Sequence, residues 1–207
     1  MLNRPRLNEV IATDTYFSAI KSIEGYTCSQ VYYGCTSRTI HVYGMKTESE
    51  FPSTYQDFLR DQGIPHTLRR DNAKSQKSQV ITEINRELIV ADSFTEPHHP
   101  HQNPAEGGGV KYLKSRSEIL MNQSGAPEHL WFLCHQYLAD VHNVSANPSN
   151  NYQIPNQVSG GILSIFRIFC NFTGFNPSTT LILFQNILTR RRNLVILLDS
   201  PTTQVML

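Results

Sequence analysis

Ile11-Ala12-Thr13-Asp14-Thr15-Tyr16-Phe17 sets Ile11, Thr13, Thr15 and Phe17 against Ala12, Asp14 and Tyr16. Alternation of period two predicts a β-strand that carries Asp14 on one face. Downstream, Glu24-Gly25 is a turn leading into the β-forming run Tyr26 to Tyr33. A second turn, Gly34 to Ser37, leads to Thr39-Ile40-His41-Val42-Tyr43, so three strands form a meander whose first strand is expected to be central. The period then changes. Ser53 is the expected cap of a helix carrying Tyr55, Phe58 and Leu59 and stopped by Gly63. His66 to Arg70 reads as a strand, Ile81, Ile84 and Leu88 as one helical face, and Ala91 to Phe94 as a fifth strand. A His- and Pro-rich loop then runs to Glu106, which opens a helix, and Pro127 to His142 is a further helix with an apolar stripe through Leu130, Leu133, Cys134, Tyr137, Leu138 and Val141. The order βββαβαβα predicts an α/β fold, a mixed β-sheet flanked by helices.

The 207 residues suffice for one domain with a short appendage, and 39% hydrophobic residues supply a core. A net charge of +1 gives no global attraction to nucleic acid, so any DNA groove must come from local clusters such as Arg69-Arg70 or Lys111, Lys114 and Arg116. The four cysteines (Cys28, Cys35, Cys134, Cys170) are scattered and match neither a zinc module nor a disulfide scaffold, which predicts reduced thiols in an intracellular protein. Met1 to Arg6 lacks a signal-peptide core, and no apolar run reaches the ~20 residues of a membrane span. From Asn147 onward only Asp199 is acidic and lysine is absent. Residues 1–145 are therefore expected to be the core, and 146–207 an atypical tail without an evolved fold after about Gly160.

Three carboxylates stand out: Asp14 on the first strand, Asp71 at the end of the fourth, and Glu106 at the start of a helix, in steps of 57 and 35 positions. Taken singly they are a strand residue, a turn former and a first-turn helix acid. Together, clustered carboxylates can hold two divalent cations about 4 Å apart for in-line phosphoryl transfer. Mg²⁺ suits such a site because it prefers oxygen and takes few ligands from protein.

At this point the chain resembles a known family. Asp14, Asp71-Asn72 and the stretch His98-x-Pro100-x-x-Asn103-x-x-Glu106 are similar to the D,D-35-E signature of retroelement integrases, copia-type retrotransposons in particular. The resemblance runs from about Val10 to Asn143 and includes Pro127-Glu128-His129-Leu130-Trp131-Phe132. It implies a ribonuclease-H-like fold, with Asp14, Asp71 and Glu106 as catalytic residues and as ligands of two Mg²⁺ or Mn²⁺ ions. The implied activity is DNA 3′-end processing and strand transfer by a homo-oligomer in the nucleus, with DNA as partner. Arg70, Asn103, Lys111 and Lys114 are the candidate DNA contacts. Alternatives within the fold are a nuclease and a decayed, non-enzymatic remnant with weak DNA affinity. Two features depart from the family. The Asn-to-Glu spacing is one residue shorter, and Gly107-Gly108-Gly109 occupies the first turn of the catalytic helix. Three glycines there are expected to delay the helix and loosen Glu106. His98, His99 and His101 are too close together in one loop to be expected as a zinc site.

Overall fold

A computed structural model describes residues 4–71, 78–95, 103–146 and 148–160. The histidine-rich loop and the residues past Gly160 lie outside the described residues, as do the expectations made for them. Five strands form one sheet: β1 (Arg6–Phe17), β2 (Cys28–Gly34), β3 (Ile40–Met45), β4 (Ile64–Arg70) and β5 (Ala91–Phe94). Their order is β3-β2-β1-β4-β5, with the meander antiparallel and β1–β4 and β4–β5 parallel. The first strand is central, as the alternation implied, and the sheet is the mixed one of a ribonuclease-H-like α/β fold.

Helices cover both faces. Helices α1 (Phe51–Asp61) and α2 (Gln79–Leu88) lie on one, where Phe51, Tyr55, Phe58, Leu59 and Ile81 pack with Ile11, Tyr32 and Leu68 of the sheet. On the other lie α3 (Lys111–Ser124) and α4 (Trp131–Val144), whose Leu113, Cys134 and Leu138 meet Ala12, Val31, Tyr33 and Ile40. Sandwiched between these layers, β2 is buried at every residue, and its tyrosines find polar partners: the Tyr32 hydroxyl meets Thr54 Oγ1 at 3.1 Å. Cys134 is the buried small hydrophobe expected, and burial pushes its thiol up to about 12.

Two helix starts differ from the sequence reading. Helix α1 begins at Phe51 with Pro52 in its first turn instead of being capped by Ser53, because proline's fixed φ already suits that position. Pro127 is extended, at ψ 140°, and a 3₁₀ turn over Glu128–Leu130 precedes α4. Past the expected boundary at 145 the chain stays on the core: the Asn150 amide donates to the Ser37 carbonyl at 3.1 Å. From the short helix α5 (Pro155–Gly160), Ser159 approaches the buried Glu9 at 3.4 Å.

Strand β3 is an edge, and α4 closes part of it. Asn143 accepts from the Ile40 N–H at 2.8 Å and donates to the Ile40 carbonyl at 2.7 Å. Because Ile40 is fully buried, removing this side chain strands a donor and an acceptor. Asn143→Ala is expected to lower the unfolding free energy by about 2–4 kcal/mol in urea titrations.

Candidate active site

Asp14 stands three residues before the end of β1, paired with Val31 of β2. On its other side, parallel pairing matches Ala12 with Arg69. Two residues further along each chain, that register brings Asp14 and Asp71 to the same level, where β4 has just ended. Thr95, following β5, fixes this end: its N–H donates to the Arg70 carbonyl and its hydroxyl to the Asp71 carboxylate, both at 3.1 Å.

Glu106 arrives from the other face. Asn103 is buried, its Oδ1 accepts from the Ala105 N–H at 3.1 Å, and its carbonyl accepts from the Glu106 N–H at 3.1 Å. The chain then makes a π-helical turn, Ala105–Val110, in which the Lys111 N–H reaches back to the Glu106 carbonyl. Such turns recur at functional sites. The triglycine does not delay the helix. A Cβ on Gly108 would lie 2.5 Å from the Tyr33 ring, and one on Gly109 3.0 Å from Val31, so bare backbone is what lets this turn sit directly on β2. Only Gly107, which meets nothing within 4 Å, is free of that constraint.

Asp14 senses both its burial and the other two carboxylates. Burial pushes Asp14 from its ordinary value of 3.8 up to about 6; the Thr15 N–H, 2.8 Å away, opposes this, and the charges of Glu106 and Asp71 add to it. Among the described residues, no three His, Cys, Asp or Glu side chains converge tightly enough to hold one ion. A two-ion arrangement needs no such convergence, since each ion meets only a pair of the carboxylates and completes its shell with water and substrate oxygens. The donor chemistry fits: all three groups offer hard oxygen, and Asp71 and Glu106 are exposed to water.

Of the four candidate DNA contacts, the structure leaves two on the surface. Lys111 and Lys114 are exposed on α3. Arg70 is fully buried instead, donating to Asp92 Oδ1 at 2.6 Å and stacking its guanidinium 4.8 Å from the Phe94 ring centre. Asp92 also accepts from Asn85, which accepts from the Tyr55 hydroxyl, so Arg70 belongs to an interior polar network that locks the end of β4. Asn103 too is turned inward, its Nδ2 donating to the Thr13 carbonyl at 3.3 Å. Both corrections have one cause: strand pairing and helix coverage buried positions that looked like surface in a linear reading. Gln30, which the sequence reading passed over, is fully buried and bonds the hydroxyls of Thr13 and Thr15, the two residues flanking Asp14. The signal for it was a lone amide in a strand otherwise rich in tyrosine and small residues.

Two expectations test this geometry. Gly108→Ala should destabilise by about 1–3 kcal/mol through overpacking against Tyr33, whereas Gly107→Ala should gain up to about 1 kcal/mol in calorimetric or urea unfolding. Asp14 binds its proton more tightly folded than unfolded, so its contribution to stability is complete below about pH 4 and is lost as pH rises through about 6. In metal-free buffer, Asp14→Asn should therefore have a higher urea midpoint than the parent at pH 7.5, the difference closing at pH 4.

No protein-family model and no curated protein matches the chain. Solved structures do. The HTLV-2 integrase catalytic core in complex with magnesium, in its trimeric form, matches with a TM-score of 0.57 and 16% identity over 73% of this chain and 96% of that one. Its dimeric form gives 0.56 and 15%, with the same coverage. A chain of the simian T-cell lymphotropic virus intasome, in complex with PP2A regulatory subunit B56 gamma, gives 0.60 and 15%. That match covers 75% of this chain but 58% of the intasome chain. Identity this low speaks for architecture alone: the chain has the ribonuclease-H-like fold found in retroviral integrase catalytic cores.

Proposed function

We propose that this chain is a polynucleotidyl transferase core acting on DNA, an integrase of the copia type. One observation carries the reading: carboxylates from β1, the end of β4 and the turn before α3 lie near enough that Asp71 and Glu106 raise the proton affinity of Asp14. The fold it shares with an integrase core solved with magnesium supports the same view. Asp14 and Asp71 would hold one divalent cation, and Asp14 and Glu106 a second, with Mg²⁺ or Mn²⁺ suited to the all-oxygen donors. Ions held by these residues would supply a lowered pKa for an attacking water or 3′-hydroxyl and positive charge beside the departing 3′-oxygen.

The protein's own part is positioning. Asp14 must be ionised to serve, so cation affinity is expected to climb as pH passes about 6. Lys111 and Lys114, exposed along α3 beyond Glu106, supply positive charge for DNA phosphates. Water first cuts a phosphodiester at the element's end and leaves a 3′-hydroxyl. That hydroxyl then attacks a target phosphodiester, one P–O bond forming as another breaks. The work is that of a homo-oligomer on DNA in the nucleus. The HTLV-2 integrase catalytic core has been solved in dimeric and trimeric forms, and no helix among the described residues is long and apolar enough to cross a membrane.

One observation favours a second reading, a non-enzymatic remnant: Glu106 sits in a π-helical turn that continues into three glycines, Gly107 to Gly109. A branched-DNA disintegration assay on the full chain with Mn²⁺ or Mg²⁺ separates the two. Metal-dependent resealing that drops to background in Glu106→Gln and in Asp14→Asn is the expected result. A folded chain that neither reseals nor binds Mn²⁺ is the remnant, and strand shortening without new junctions would point to a nuclease.

A further inference from the structure

Asn103 bonds to the residue immediately before each of two candidate ligands. Its Nδ2 donates to the carbonyl of Thr13, which precedes Asp14, and its Oδ1 accepts from the N–H of Ala105, which precedes Glu106. Its own carbonyl accepts from the N–H groups of Glu106 and Gly107, at 3.1 and 3.4 Å. The side chain is 5% exposed, so water does not compete for these bonds. Capping a helical turn needs only the acceptor, and Ser, Thr or Asp supply that equally well. The donor half has no capping use. It reaches past the last β1–β4 pair, Ala12 with Arg69, and takes the next carbonyl of β1. Across the same residue, Gln30 Nε2 donates to the Thr13 hydroxyl, so Thr13 is gripped through both its backbone and its side chain.

We infer that Asn103 is a positioning residue that sets the separation of Asp14 from Glu106, and with it the affinity of the site for a divalent cation. The inference rests on the metal-site reading above. Its physical reason is like-charge repulsion: without a cation, Asp14 and Glu106 push apart, and Glu106 is itself exposed on a turn whose packed side chains are Ala105 and Val110. A side chain bonded to both elements holds the pair close before the cation arrives. Groups that orient metal ligands from behind typically change metal affinity 10- to 100-fold when removed.

Mn²⁺ titration of the full chain by calorimetry, beside thermal melting, tests this in Asn103→Ser and the isosteric Asn103→Asp. Both variants keep an acceptor for Ala105 and lose the donor to Thr13. The expected result is a chain that still melts cooperatively, at a temperature lowered by the stranded Thr13 carbonyl, with Mn²⁺ binding weakened roughly 10-fold or more in Asn103→Ser. Faster amide exchange at Ala105 and Glu106 in the metal-free Asn103→Ser protein is expected alongside. Parent-like Mn²⁺ affinity in a folded Asn103→Ser or Asn103→Asp would overturn the inference, provided that Asp14→Asn abolishes binding. A parent chain that binds no Mn²⁺, or binds it equally well as Asp14→Asn, overturns the metal-site reading itself and this inference with it.

Discussion

The half-buried carboxylate of Asp14, held on the central strand of the sheet, is the constraint on which the rest of the site depends. The neighbouring charges of Glu106 and Asp71 add to its reluctance to ionise. The chain tolerates this because each carboxylate is tied to a different, separately stabilised element. Those ties differ in strength. Asp71 follows Arg70, whose buried pair with Asp92 is of the kind that costs about 3–5 kcal/mol to break. Glu106 hangs from neutral hydrogen bonds around Asn103, each contributing about 0.5–1.5 kcal/mol. The strand end is therefore the firmer side of the site, and the helical turn the more compliant one.

Close packing explains why that turn nonetheless has a defined place. Glycine costs about 1 kcal/mol against alanine in a helix, and three in succession argue against a helix at all. Gly108 and Gly109 repay this by letting backbone rest on Tyr33 and Val31, at distances that exclude a Cβ at Gly108 and crowd one at Gly109. Val31 is the residue paired with Asp14, so the contact that seats the turn also fixes its height above the central strand. Interior polar groups complete the frame: the Tyr55–Asn85–Asp92–Arg70 network under α1 and α2, and Gln30 between the threonines flanking Asp14.

Much of this was legible in the linear sequence, and particular residues show why the rest was not. Period-two alternation around Asp14 placed β1, and the spacing of Tyr55, Phe58 and Leu59 or of Ile81, Ile84 and Leu88 placed helices, because those patterns are imposed by the geometry of each element alone. The same patterns put the three carboxylates on their respective elements. What they could not show was which positions two packed layers would cover. Arg70 and Asn103 have the chemistry of DNA contacts, yet one is sealed beneath α2 and the other spans the gap between β1 and the turn before α3. Propensity misled in the opposite sense at the triglycine, where tertiary approach outweighed the helix penalty.

Sequence by itself determined the order of strands and helices, the central place of β1 and the presence of an acidic group within β1, just after β4 and in the turn before α3. Only the tertiary structure decided that Asp14 feels the charges of Glu106 and Asp71, that Asn103 links the strand of one to the turn of another, and that bare glycine backbone lets the turn descend onto β2. The physical reason is range. Strand and helix periodicity act between residues a few positions apart, whereas Asn103 and Thr13 meet across 90 positions, through a contact that exists only after the sheet has formed.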